Sequence, residues 1–296
     1  MAMLRYLLFW GFALFLALSS CEPPVRVRAT DKKTTRDSVH YVGIAEVKSD
    51  IDLRKAELIG TVKVGDRGAT LDCRYPDVLE YACRNAGRIG GNLLVITKHQ
   101  RNEVKSNCHV IKGEVYRVAS LEGMESRMYW HPERRLAKGD LRQERSSAAA
   151  DGWPPVSVLI TCRLGGDFFK EVIIRTETLF FPDSAGRGES PRLNALALRR
   201  AQVLFDAAEV HARQLKADLV AIGPDLDRLI NEYRPQTEEH LRQLRADQAV
   251  LEAELLANAD AEAVLARWEA TIRQRLIALE PFAGHQRIDL RKRKRS

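Results

Sequence analysis

The chain has 296 residues, 45% of them hydrophobic and 29% charged, with a formal net charge of +7. That balance fits a folded chain of one to three domains and excludes a disordered polyelectrolyte. It also argues against a broadly basic nucleic-acid-binding face. Arg287, Arg291, Lys292, Arg293, Lys294 and Arg295 stand against the single acid Asp289, so five of the seven net charges sit in the last ten residues.

Residues 1–5 carry one positive charge, and residues 6–18 form an unbroken apolar run. The run is shorter than the roughly 20 residues a spanning helix needs, and it reads as the core of a signal peptide over 1–20. Leu18-Ser19-Ser20-Cys21 follows. This string resembles the lipobox of bacterial lipoproteins: an aliphatic residue, two small residues that lie extended in a peptidase cleft, then a cysteine whose thiol takes the diacylglycerol. The resemblance implies cleavage between Ser20 and Cys21, palmitate-type acylation of Cys21, and attachment to a membrane through it. Two or three acyl chains anchor stably where one binds only marginally. Glu22, where an aspartate favours inner-membrane retention, implies an outer-membrane protein facing the periplasm. Residues 21–38, rich in Pro, Arg, Lys, Thr and Asp and without periodicity, predict a flexible tether.

Residues 39–118 read as a small α+β domain. The stretches 39–47 and 58–64 are β-rich with partial alternation. Gly65-Asp66-Arg67-Gly68 is a turn signal. Pro76 suits the first turn of a helix, and Val78, Leu79, Ala82, Cys83 and Ala86 recur at three- and four-residue steps. Gly90-Gly91 ends that helix. Residues 93–97 predict a buried strand, and 108–118 another β-rich run that Gly113 splits. The strings around Gly65-Asp66-x-Gly68, Ile89-Gly90-Gly91-Asn92 and Cys108-His109-x-Ile111 resemble an uncharacterised domain of Bacteroidetes envelope lipoproteins over about residues 56–118. The segment in which Gly90-Gly91-Asn92 joins the helix to the strand is also distantly similar to the Rcs-pathway outer-membrane stress-sensor lipoprotein. The resemblance implies a compact envelope domain and no catalytic residue.

Beyond Cys21 there are four cysteines, which allow three full pairings. Export places them where disulfides persist. Cys73–Cys108 is the favoured bridge, tying the chain before the helix to the last strand; Cys83 and Cys162 read as buried thiols. Cys73, Cys83, His99, Cys108 and His109 are zinc-type ligands, but they lack a C-x-x-C or H-x-x-x-H spacing. Adjacent Cys108 and His109 point to opposite faces of a strand, so no metal is assigned. No cofactor is predicted. Ser120 lacks the glycines of a nucleophile elbow, and no catalytic residue is assigned.

Residues 119–155 read as a linker, ending in the run Ser146 to Pro155. The stretches 156–164 and 168–181 flank Gly165-Gly166-Asp167 and predict a β-hairpin, whose Phe168, Phe169, Phe180 and Phe181 are either core or a ligand pocket. Ser190-Pro191 starts a helix reaching about Leu215, and 218–222 is either its continuation or a strand. These elements make up a region over 156–234. Residues 235–283 are helical, with Leu241, Leu244, Leu251, Leu255, Leu265, Ile272, Leu276 and Leu279 on one seam and a possible break at 257–261. They predict a helical hairpin within the chain or a coiled-coil stem that would support a homodimer or an envelope protein partner. Residues 284–296 read as a flexible basic tail, with Arg287 and Arg291 to Arg295 the candidate contacts for an anionic surface.

The expected fold is α+β: a small N-terminal sheet with one packed helix, then a β-hairpin and C-terminal helices. The expected role is binding, sensing or scaffolding by a lipid-anchored envelope protein. A periplasmic hydrolase or thiol oxidoreductase is the rival class, and nucleic acid is not an expected partner.

Overall fold

A computed structural model describes residues 23–30, 38–46, 51–65, 73–101, 108–143, 153–188 and 190–291. The fold is α+β, and the chain divides into two compact units. Met1–Val42 and Lys55–Val118 form the first, Gly43–Arg54 and Ala119–Ser296 the second. Cys21 and Ser20, and with them the cleavage and acylation sites, lie outside the described residues.

In the first unit, β1 (Val25–Ala29), β3 (Glu57–Val64), β5 (His109–Arg117) and β4 (Leu93–Arg101) lie side by side in that order, each antiparallel to its neighbour. One helix, α1 (Tyr75–Arg88), packs on the sheet. The alternation of the strands assigns the faces. Val62, Val64, Ile111 and Val115 are buried, whereas Thr61, Lys63 and Lys112 are exposed. Val78, Leu79, Ala82 and Ala86 bury the apolar stripe of α1. The helix stops where predicted: Gly90 takes φ +86°, a left-handed conformation that glycine adopts without strain. A Cβ on Gly91 would sit 2.1 Å from Val115 Cγ1. Asn92 then brackets the end of β5, its Nδ2 donating to the Val118 carbonyl and its Oδ1 accepting from the Val118 amide, both at 2.8 Å.

Two expectations for this unit are corrected. Residues 25–29, read as tether, form a strand, because Val25 and Val27 turn inward while Arg26 and Arg28 face out, the period-two pattern of a sheet edge. Gly113 does not split its strand: β5 is continuous, and the glycine is required because a Cβ there would meet Leu94 Cδ1 at 2.6 Å. Register irregularities fall instead in β4, between Ile96 and Lys98, and in β3, between Leu58 and Gly60.

The second unit contains the short strand β2 (Gly43–Ala45), where Ile44 bridges Arg127, and a sheet built on the predicted hairpin. Strands β7 (Val158–Gly165) and β8 (Glu171–Phe180) pair along their length. The other edge of β8 is shared by two short strands: β6 (Met128–Tyr129) covers Leu179 and Phe180, and β9 (Gln286–Asp289) covers Glu171 to Ile174. Helix α2 (Pro191–Ala221) packs on β7 and β8, capped by Ser190 Oγ accepting from the Leu193 amide. Helices α3 (Leu226–Ala257) and α4 (Ala261–Ala278) pack against α2, so the leucine seam is spent inside the chain. Leu244, Leu251, Leu255, Leu265 and Ile272 are buried in one core with Leu204, Ala208 and Leu215 of α2. The predicted break at 257–261 is real, with Asp260 capping α4.

Four boundaries move. Residues 218–221 continue α2. Helix α3 runs through Pro235, where the sequence suggested a division. The described part of 119–155 is folded rather than a linker: Met128, Leu136 and Leu141 are buried, and Arg134 bridges the buried carboxylates of Glu125 and Asp140 at 2.7 and 3.0 Å. Residues 286–289, assigned to a flexible tail, are a strand with Ile288 buried.

Candidate functional site

Because β6 and β9 each cover one end of the same edge of β8, the stretch between them stays open. A cleft of about 520 Å³ lies there, with Thr176, Glu177 and Thr178 on one wall. Tyr129 and Trp130, carried by β6 and the residue after it, form a second wall, and Leu276 and Ile277 of α4 a third. The Trp130 amide donates to the Thr178 carbonyl at 2.9 Å, and the indole Nε1 donates to Asp206 Oδ1 at 2.8 Å. The ring is therefore fixed at both its backbone and its edge.

Charged side chains of α2 form the floor. Arg213 Nε donates to Glu209 Oε1 at 2.9 Å, and Thr178 Oγ1 donates to Glu209 Oε2 at 2.8 Å. Arg213 Nη1 reaches the Leu276 carbonyl at 3.0 Å and Glu280 Oε2 at 2.9 Å. The Arg213 guanidinium carbon lies 5.1 Å from the centre of the Trp130 ring, within cation–π range. Lys216 donates to the carbonyls of Ala283 and Gly284, both at 3.1 Å, and burial lowers its pKa against the opposing pull of Glu209. These buried charges are saturated by partners inside the fold, as burial requires. What remains for a ligand is the aromatic wall and the rim. Arg273 is exposed there and makes no ion pair among the described residues. Arg135, also on the rim, pairs with Asp206 at 3.0 Å. The arrangement suits a molecule with a planar or apolar body and a negative group.

The sequence reading missed this site. Its one legible signal was Glu209 and Arg213 at i and i+4 on a helix face that is otherwise apolar. Trp130 lay in a stretch read as linker, and nothing local announces it.

The residues the sequence did single out fall elsewhere. Cys73 and Cys108 form a disulfide, with Cα atoms 4.8 Å apart. Cys83 and Cys162 form no disulfide among the described residues and are half-buried rather than fully buried, and burial pushes the Cys162 thiol up to about 11. His99 and His109, opposed as metal ligands by spacing, meet across neighbouring strands: His99 Nε2 lies 2.7 Å from His109 Nδ1, and Tyr75 packs at a tilt against His99 with centroids 4.4 Å apart. Among the described residues no group of three or more His, Cys, Asp and Glu side chains is placed to hold a metal ion. Phe180 is buried against Phe205, whereas Phe168 and Phe169 stand exposed at the hairpin tip, so the four phenylalanines form no pocket. Arg287 lies in β9, 3.7 Å from Glu171, and Arg291 pairs with Asp289 at 3.0 Å. Lys292, Arg293, Lys294 and Arg295 lie outside the described residues. No protein family, curated protein or solved structure matches this chain.

Proposed function

We propose that this chain is a lipid-anchored protein of the bacterial envelope, held at Cys21 and directed to the outer membrane, with a binding or sensing role. The observation that carries the reading is the Cys73–Cys108 disulfide standing downstream of Leu18-Ser19-Ser20-Cys21. A structural disulfide persists in oxidising compartments, and the N-terminal signal supplies the route to one.

The cleft supports binding over chemistry. Catalytic acids and bases need a pKa matched to proton transfer and an unengaged position at the reacting atom. Glu209, Arg213 and Lys216 are instead engaged by internal partners. A thiol oxidoreductase needs a lowered thiol pKa, and that of Cys162 is raised.

The test is metabolic labelling with a palmitate analogue in a bacterial host, followed by membrane fractionation. The wild-type chain should be labelled and shortened by its signal peptide. Cys21→Ala should be unlabelled and retain it. A Cys21→Ala chain that still takes up label overturns the anchor.

A further inference from the structure

Arg26, Lys63, Lys112 and Lys98 form a row of like charges across β1, β3, β5 and β4. Arg26 is the register partner of Lys63, Lys63 of Lys112, and Lys112 of Lys98. All four are exposed, on the face of the sheet opposite α1. Arg28 stands beside the row, and a shallow groove of about 380 Å³ runs between them. None of these five cations has an ion-pair partner among the described residues. The one acid lining the groove, Glu114, accepts a hydrogen bond from the Tyr116 hydroxyl at 2.7 Å. Like charges placed directly opposite one another destabilise a sheet. Four in succession, with Glu114 the one acid lining the groove, is a cost that folding alone does not explain.

We infer that this face is a docking surface for the phosphate-bearing headgroups of an anionic lipid leaflet. Two observations select that occupant. The charge is complementary, and it is spread in a line over a sheet face, as a planar array of phosphates requires, rather than gathered in a pocket around one ion. The position also fits. Val25, the first residue of β1, comes four residues after Cys21, so covalent geometry keeps the strand within about 14 Å of the acylated residue. This second argument rests on the lipoprotein reading; the charge row does not. An anchor so close holds the face at the headgroup layer, where each basic residue favours the bound state by about fivefold.

The experiment uses the mature chain with Cys21→Ser, which carries no acyl chain, so its outcome is independent of the palmitate test. Co-sedimentation is measured with vesicles of phosphatidylcholine alone and with 30% phosphatidylglycerol. The chain should bind the anionic vesicles, lose affinity as salt rises, and bind the neutral ones at least tenfold more weakly. The variant Arg26→Gln/Lys63→Gln/Lys98→Gln/Lys112→Gln should lose at least tenfold in affinity for anionic vesicles. It should also melt no lower than wild type, because cross-strand repulsion is relieved. Unchanged binding by the variant overturns the proposal. So does displacement by millimolar inorganic phosphate at matched ionic strength, which would mark a site for the free ion. Failure here with intact palmitate labelling removes the docking face and leaves the anchor standing.

Discussion

His211 and His240 lie between α2 and α3 with ring centroids 5.8 Å apart. Each Nε2 is 3.0 Å from a carboxylate oxygen, that of Asp247 for His211 and of Asp218 for His240. Both rings are buried, and neither Nδ1 has a hydrogen-bond partner among the described residues. Burial lowers the pKa of His240 below its ordinary 6.5, outweighing the opposite pull of Asp218, and His211 adds to the lowering.

A histidine held neutral in the fold makes stability depend on pH. The unfolded chain takes up the proton near the ordinary value and the folded chain only at lower pH. The stabilisation is therefore complete above about 6.5 and is lost as pH falls below it. Thermal melts should give a lower midpoint at pH 5.5 than at pH 7.5. His240→Gln should flatten part of that dependence. His109 in the first unit, lowered by burial and then by His99 and Arg101, acts with the same sign and accounts for a residual slope. Equal dependence in wild type and His240→Gln would show that His240 does not titrate in this range.

The disulfide closes a sequence separation of 35 residues. Chain entropy assigns a loop of that size about 3–4 kcal/mol. Cys73→Ser/Cys108→Ser should lose about that much stability in the first unit, read by hydrogen exchange of β3 and β5 amides. Non-reducing mass mapping of the isolated protein should recover the Cys73–Cys108 pair. Two free thiols in freshly alkylated protein would contradict it.

The cleft beside Trp130 should bind an aromatic anion. Anilinonaphthalene sulfonate, with a planar body and one negative group, is a suitable probe. Saturable binding is expected, weakened about tenfold or more by Trp130→Leu and about threefold by Arg273→Gln, since a rim charge contributes little beside a buried aromatic contact. Binding that neither substitution changes would place the probe elsewhere.

The C-terminal charge is separable from the strand that precedes it. Ending the chain after Arg291 removes four bases and keeps β9, whereas ending it after Gly284 also strips Ile288 from the core. The first truncation should reduce salt-sensitive binding to anionic vesicles without moving the melting temperature. The second should lower the melting temperature as well, because burying an Ile side chain is worth about 1.5–3 kcal/mol. If the chain ending at Arg291 binds as the full chain does, the tail is only solvated charge.

Elements governed by local periodicity were legible in the sequence. The stripe of Val78, Leu79, Ala82 and Ala86, the Ser190-Pro191 start and the hairpin about Gly166 each carry their instruction within a few residues. What escaped depends on distant partners. Val25-Arg26-Val27-Arg28 alternates as a strand should, but five residues amid polar neighbours become one only through pairing with Val64 to Gly60. Likewise Met128 and Tyr129 are a strand because Phe180 and Leu179 offer an edge, and Arg134 is buried because Glu125 and Asp140 neutralise it. The cleft is harder still, since it arises where two short strands fail to meet along β8.

The pairing of β9 with β8 sets an order of events in synthesis. Glu171 to Ile174 wait for Gln286 to Asp289, more than a hundred residues later in the chain. A nascent chain therefore carries an unfinished sheet in its second unit until Gln286 to Asp289 have been made.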